Sequence, residues 1–361
     1  MNLDDFSVKV RVIPPLTIAG SVLTSSTVYE TAPTAYAGGT TYALGDVASV
    51  AGSAGLITVY RSLQSSNTGN TPASSPLWWA FVCETYGAYA GGTTYALADR
   101  VIDATNHIEY ESLAAGNTGN ALTDTTKWLS LGPTNKWAMF DLTTSKATIS
   151  GSPLTIVITP GRRINSIGLD GLVASSVEIT QTVSAVTKFH EVIDLNSREV
   201  LNFTQFFFEP FSNQKSVARF NIPPYTNGVI TITITASSGN VECAACVIGS
   251  YEVLGVAERS ARISGLNFST IERDFDGGIN TMTQRRSVPK ATMHILTPKT
   301  YVNRLIALKD LLDAQPAFWA GIDDDTSGYF DAMQMVGFHR VFDFDLSEED
   351  YAFIDLELEA I

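Results

Sequence analysis

The sequence predicts a mainly β protein made of several units, and three observations point that way. Short runs of β-branched residues recur with Gly, Pro, Asn and Ser between them, the pattern of strands joined by tight turns. A single stretch carries a helical stripe. Near the N-terminus one segment occurs twice in tandem, the mark of a repeated module. A length of 361 residues is two to three times that of a usual domain. The chain has 23 Lys+Arg against 37 Asp+Glu, a net charge of −14. That balance argues against binding a nucleic-acid backbone, which needs clustered cations. Three cysteines cannot make a disulfide framework. With 45% hydrophobic and 17% charged residues the chain reads as folded and soluble, and no apolar run reaches the ~20 residues of a spanning helix. The opening MNLDDFSVKV lacks the basic-then-apolar layout of a secretory signal.

The units are expected at 1–34 (an N-terminal strand or arm), 35–86 and 87–134 (the two repeats), 135–255 and 256–361. Tyr36-Ala-Gly-Gly-Thr-Thr-Tyr-Ala-Leu44 returns unchanged from Tyr89 to Leu97, and Asn67-Thr-Gly-Asn70 returns as Asn117-Thr-Gly-Asn120. The offset falls from 53 residues at the front to 50 at the back (36 to 89, then 67 to 117), so three residues are lost between the motifs, at about 51–56. Trp78 and Trp79 end the first copy and Trp128 the second. A module this small holds itself together by burying aromatic rings, here Tyr42, Tyr60 and Trp78 or Tyr95, Tyr110 and Trp128.

The third unit is expected to be an antiparallel sandwich of jelly-roll type, with strands at 154–159, 176–183 and 229–236. Ile230-Thr-Ile-Thr-Ile-Thr235 alternates apolar and hydroxyl residues with the period of a strand. In the last unit Tyr301, Leu305, Leu308 and Leu312 make a helical stripe, punctuated by Pro298 and Pro316. Strands are expected on either side, at 261–271, 287–296, 334–345 and 351–359, giving a β-barrel with one flanking helix. From Val341 onward there are eight acidic residues and no basic one.

Chemistry-bearing motifs are sparse. His107, His190, His294 and His339 have no ligand spacing, and neither a G-x-S-x-G elbow nor a phosphate loop occurs. Cys243-Ala-Ala-Cys246 lacks a second pair for zinc and lies in a β-rich stretch, so it reads as a structural pair. Asp323-Asp-Asp325-Thr-Ser327-Gly328 opens like a calcium loop, but position twelve is Gln334 where a bidentate Glu is required, so a solvated turn is expected. Asp274 and Asp276 alone do not define a glycosidase pair. No catalytic residue, metal or cofactor is expected.

Thr41-Tyr42, Gly45-Asp46-Val47, Tyr60, a Gly turn and a closing Trp, matched by Thr94-Tyr95, Asp99-Arg100-Val101, Tyr110, Gly119 and Trp128, resemble the small chitin- and cellulose-binding modules of secreted polysaccharide hydrolases. The likeness covers residues 35–128. It implies carbohydrate contacts from Tyr42, Tyr60, Trp78, Trp79, Tyr95, Tyr110 and Trp128, since aromatic faces stack on sugar rings. Those families carry an exposed aromatic pair beside the turn, where this chain has Ser65-Ser66-Asn67-Thr68-Gly69 and Ala115-Gly116-Asn117-Thr118-Gly119.

Trp137-Ala-Met-Phe140-Asp141 and Ile167-Gly-Leu-Asp-Gly171 resemble sandwich domains of tailed-bacteriophage tail-tip and baseplate proteins, and the last unit is similar to the barrel of tail tubes and distal tail rings. This likeness implies a non-enzymatic virion protein, assembled in the host cytoplasm, that forms a ring of three or six copies and meets other tail proteins. Basic Arg259, Arg262, Arg273, Arg285 and Arg286 would face acidic Asp343 and Asp345 of the next copy. The repeats would then present themselves to bacterial surface glycans, with neither nucleic acid nor membrane insertion involved. Two alternatives stay open: a secreted polysaccharide-degrading enzyme, and an architectural tail adaptor that binds no sugar.

Overall fold

The computed structural model describes residues 9–197, 203, 212–258, 261–285, 287–321 and 333–361. The chain is mainly β, 50% strand and 7% helical. Arg259, Arg286 and Asp323–Gly328 lie outside the described residues.

Six antiparallel strands follow one another in space in the order Glu252–Ala257, Val10–Ile13, Ala317–Ala320, Gln334–Asp345, Tyr351–Ala360 and Ser287–Pro298. Glu252–Ala257 pairs again with Ser287–Pro298, through Val256 opposite Leu296 and Ala257 opposite Ile295, so the order returns to its start. Val10, Val12, Ile295, Trp319, Ile354, Leu356 and Leu358 share one buried cluster inside these strands. The helix Val302–Leu312 lays Leu305, Leu308 and Leu312 against that cluster, the stripe read from its spacing, with Tyr301 packed at its edge.

The stretch expected as an N-terminal strand or arm carries two strands, Val10–Ile13 and Leu23–Ser26. Val10–Ile13 fills the gap between Glu252–Ala257 and Ala317–Ala320, because its Val and Ile side chains complete the apolar interior there. Leu23–Ser26 then leaves for a second sheet, as the edge neighbour of Leu154–Ile158. Likewise Glu252–Ala257 crosses the expected boundary at 255 and belongs with the last unit.

That second sheet has five strands, ordered Val186–Asp194, Ser176–Val183, Val229–Thr235, Leu154–Ile158 and Leu23–Ser26. Ile230, Ile232 and Ile234 are fully buried while the threonines between them are half-buried, as strand alternation requires. Facing them are Ile167 and Leu169 of Ser166–Asp170, Ile248 of Ala245–Gly249 and Val217 of Val217–Arg219. The two faces form one core. This middle unit meets the first through Ile13, Ala245, Val247, Phe318 and Val336, and the Val336 amide donates to Asp170 Oδ2 at 3.1 Å.

Gly168 sits at that contact. A Cβ there would come within 2.4 Å of the ring of Phe318, which is itself completely buried. Gly168→Ala is expected to lower stability by about 1–3 kcal/mol, the usual cost of overpacking. A drop in the denaturation midpoint checks this; an unchanged midpoint contradicts the packing described.

Candidate functional site

Between Leu23–Ser26 and Thr148–Gly151 the chain makes an excursion that carries both repeats. Each repeat is one three-stranded antiparallel sheet: Val47–Ala51, Leu56–Ser62 and Trp79–Tyr86 in the first lobe, Arg100–Asp103, Ile108–Ser112 and Trp128–Pro133 in the second. The three lost residues fall in the first hairpin. Val50 and Thr58 enclose seven residues, and their counterparts Asp103 and Ile108 enclose four.

The recurring residues are the ones that close each lobe. Tyr36 stacks on Tyr42 with centroids 5.7 Å apart, and Trp79 meets both rings edge-on at 5.9 and 5.0 Å. Tyr89, Tyr95 and Trp128 repeat the arrangement at 6.1, 5.7 and 5.3 Å. The Trp79 indole N–H donates to the Asn70 carbonyl at 2.8 Å and that of Trp128 to Asn120 at 3.1 Å. Asn67 and Asn117 each donate from the side-chain amide to a buried serine, Ser62 or Ser112, at 3.0 Å. Gly69 and Gly119 both sit at φ +75°, where other residues are strained, so the Asn-Thr-Gly-Asn turn is a backbone requirement.

The aromatic residues expected to touch sugar differ in how far their rings are exposed. Trp79 and Trp128 are 3% and 2% exposed and Tyr42 and Tyr95 are also buried, so none offers a free ring face. Tyr60 and Tyr110 pack against the same trios and are half-buried. Trp78 is half-buried beside the first trio. Its counterpart is Lys127, since Leu63 N–H donates to Trp78 O as Leu113 N–H donates to Lys127 O. Exposed apolar side chains lie elsewhere, on Leu44 and Leu63 of one lobe and on the equivalent Leu97 and Leu113 of the other. The unchanged Tyr-to-Leu motif ends in Leu44 and Leu97, but nothing in the letters alone marks a leucine as exposed.

The lobes dock on the middle unit by different physics. Val59, Val82 and Cys83 of the first lobe belong to the large core of the middle unit. At the positions of Val47 and Val59 the second lobe has Arg100 and Glu109. Glu109, only 5% exposed, takes Lys146 Nζ at 2.7 Å and Arg100 Nη1 at 3.3 Å. Arg100 also donates to Glu111 at 3.1 Å and to the Tyr86 hydroxyl at 3.3 Å. Glu30 makes a second polar anchor, accepting from Trp137 Nε1 and Thr134 Oγ1 at 2.9 and 3.0 Å and bonding His107 Nδ1 at 2.9 Å. His107 stacks on Trp137 at 4.0 Å.

A cleft of about 700 Å³ opens where the two lobes and the middle unit meet. Phe81 and Tyr86 of the first lobe, Arg100 and Glu109 of the second, and Lys146 and Asn240 of the middle unit stand on its walls.

The remaining candidates are scattered. Arg285 is exposed, as are Asp343 and Asp345 on a different part of the strand sheet. Hydrogen bonds from the backbone and hydroxyl of Ser347 hold the Asp345 carboxyl below its ordinary value. Cys83, Cys243 and Cys246 are free and buried. Burial pushes the Cys83 thiol up to about 11 and Cys246 to about 12, and lifts Cys243 well above the ordinary range. The thiolate that metal binding or redox exchange needs is thereby disfavoured. No three His, Cys, Asp or Glu gather among the described residues in a way that could hold a metal ion.

Set against known protein families, curated proteins and solved structures, the chain matches none.

If the trios are lobe cores, Trp79→Ala and Trp128→Ala should each cost about 3–5 kcal/mol in their own lobe. Trp78→Ala should cost under about 1 kcal/mol. Amide exchange lobe by lobe reads the difference, and an equal loss in all three variants contradicts the assignment.

Proposed function

We propose that the protein is a structural component of a phage tail tip or baseplate that assembles as a ring and holds its two lobes out towards host-surface glycans. In this reading the six-strand unit is a tail-tube-like barrel with one flanking helix, and the middle unit is a jelly-roll-like sandwich that spaces the lobes from it. The protein acts by docking, and its partners are further copies of itself and neighbouring tail proteins.

The observation that carries the self-association is a projecting hairpin. Arg262–Asn267 pairs with the outer side of Ser287–Pro298, and Thr270–Arg273 with Ile279–Thr283 continues the ladder outward. Along it Ile263, Phe268, Ile271, Ile279 and Met282 are 48–68% exposed, and Phe275 at the tip is wholly so. Ile271 faces Met282 across the ladder and Ile279 faces Arg273, and neither strand has a further partner among the described residues. A surface of this kind invites pairing with another chain unless something covers it. Arg262 and Arg285 flank its base, and the exposed Asp343, Asp345, Glu348, Glu349 and Asp350 offer the opposite charge on a second copy. Such a contact joins two different patches and closes a ring.

The architectural adaptor remains the second reading, favoured by the burial of Tyr42, Trp79, Tyr95 and Trp128. Electron microscopy and mass photometry of the purified chain test the proposal. Rings of three or six copies are expected. Phe268→Ser with Phe275→Ser should leave folded monomers, and Arg285→Glu should weaken assembly unless Asp343→Arg and Asp345→Arg are added. A wild-type chain that stays monomeric at tens of micromolar, roughly the range in which weak complexes form, contradicts it.

A further inference from the structure

We infer that the three-way cleft, and not the aromatic trios, is where the lobes bind sugar, and that its ligand is a short neutral oligosaccharide. The inference rests on the glycan-presenting reading above and gives it a site.

The cleft has room for a short oligosaccharide. At about 700 Å³ the cleft lies in the middle of the range that small-ligand sites occupy, roughly 300–1,000 Å³. It sits where three units converge, the usual place for such sites.

Arg100 and Lys146 are the cations on the wall, and Glu84 and Glu109 are the anions. Glu109 spans both cations, so the local field is neutralised within the protein. A phosphate or a metal ion would find no net attraction, whereas an uncharged polyol loses nothing by that balance.

A guanidinium has five N–H donors. Arg100 uses Nε for Glu111 and Nη1 for Tyr86 and Glu109, which leaves both donors of Nη2 without a partner among the described residues. Lys146 Nζ meets Glu109 and the Pro133 carbonyl, leaving a third donor. The Asn240 amide has neither donor nor acceptor engaged among the described residues, and it is exposed at the rim. Arg100 and Lys146 are held in place by the bonds they already make, so little ordering of them is required on binding. The half-buried rings of Phe81 and Tyr86 line the same cleft and suit the apolar face of a pyranose. Apolar rings beside fixed donors and an amide are what a hydroxyl-rich ring recognises.

The same geometry accounts for the duplication. One lobe supplies the rings and the other supplies the guanidinium, so neither lobe alone makes the site.

The test uses the full chain on an array of neutral and acidic bacterial oligosaccharides that includes chitotetraose and cellotetraose. The wild-type protein should bind neutral members. Ala147→Trp places an indole in the cleft from its wall without removing a side-chain hydrogen bond, and Asn240→Ala trims an exposed amide. Ala147→Trp should lower binding at least tenfold and Asn240→Ala several-fold, with the melting temperature of Asn240→Ala unchanged. Trp78→Ala and Tyr60→Ala should bind like wild type. Loss of binding in those two with Ala147→Trp and Asn240→Ala unaffected would overturn the cleft while leaving the glycan reading intact. Binding confined to acidic members would overturn the neutral ligand, and a wild-type protein that binds nothing on the array would overturn both.

Discussion

A three-stranded sheet has two faces and too few residues to cover both, and that constraint shapes everything the two lobes do. One face is closed from within by Tyr36, Tyr42 and Trp79, or by Tyr89, Tyr95 and Trp128. The other must be closed by something outside the lobe. In the first lobe Val59, Val82 and Cys83 are absorbed into the core of the middle unit, so hydrophobic burial does the work. In the second lobe Glu109 stands where the first has Val59, and Arg100 where it has Val47, so this face is held by ions instead. Ions keep their hydrogen-bonding directions and do not collapse like a greasy contact. The cleft lies along this polar seam, with Arg100, Glu109 and Lys146 on its walls.

The polar anchor comes at a cost that the network meets locally. Glu109 and Glu30 are both nearly buried, and a buried carboxylate needs its full set of partners. Glu109 finds Arg100 and Lys146, and Glu30 finds His107, Thr134 and Trp137. These partners come from the lobe, from the segment after it and from the middle unit. They tie the excursion down at both ends while the turns at Gly69 and Gly119 remain at the surface.

Much of the fold was legible in the amino-acid order because the signals were local. Isoleucine and threonine alternate from 230 to 235 with the period of a strand, and Leu305, Leu308 and Leu312 recur with that of a helix. The duplication gave itself away through repeated turn residues. Contacts set by distant chain escaped: Val10–Ile13 carries no mark that its neighbours are 252–257 and 317–320. The aromatic residues were visible, but their burial was not, since a core ring and a binding ring have the same letter. The differences between the copies, Val47 against Arg100 and Val59 against Glu109, mark the face where the lobes diverge. Glu30, Lys146 and Asn240 belong to no repeat and acquire meaning only once the chain is folded.

Hydrogen exchange at two amides tests directly whether the lobes are held by different forces. The Arg100 N–H donates to Ala54 O across the lobes at 3.0 Å, and the Tyr29 N–H meets Cys83 Sγ at 3.3 Å where the first lobe enters the core. Raising salt from about 0.05 to 1 M shortens the Debye length to about 3 Å and weakens ion pairs far more than apolar contacts. Exchange at Arg100 should quicken several-fold while Tyr29 stays as it was. Equal response at both amides, or a larger one at Tyr29, would contradict the account.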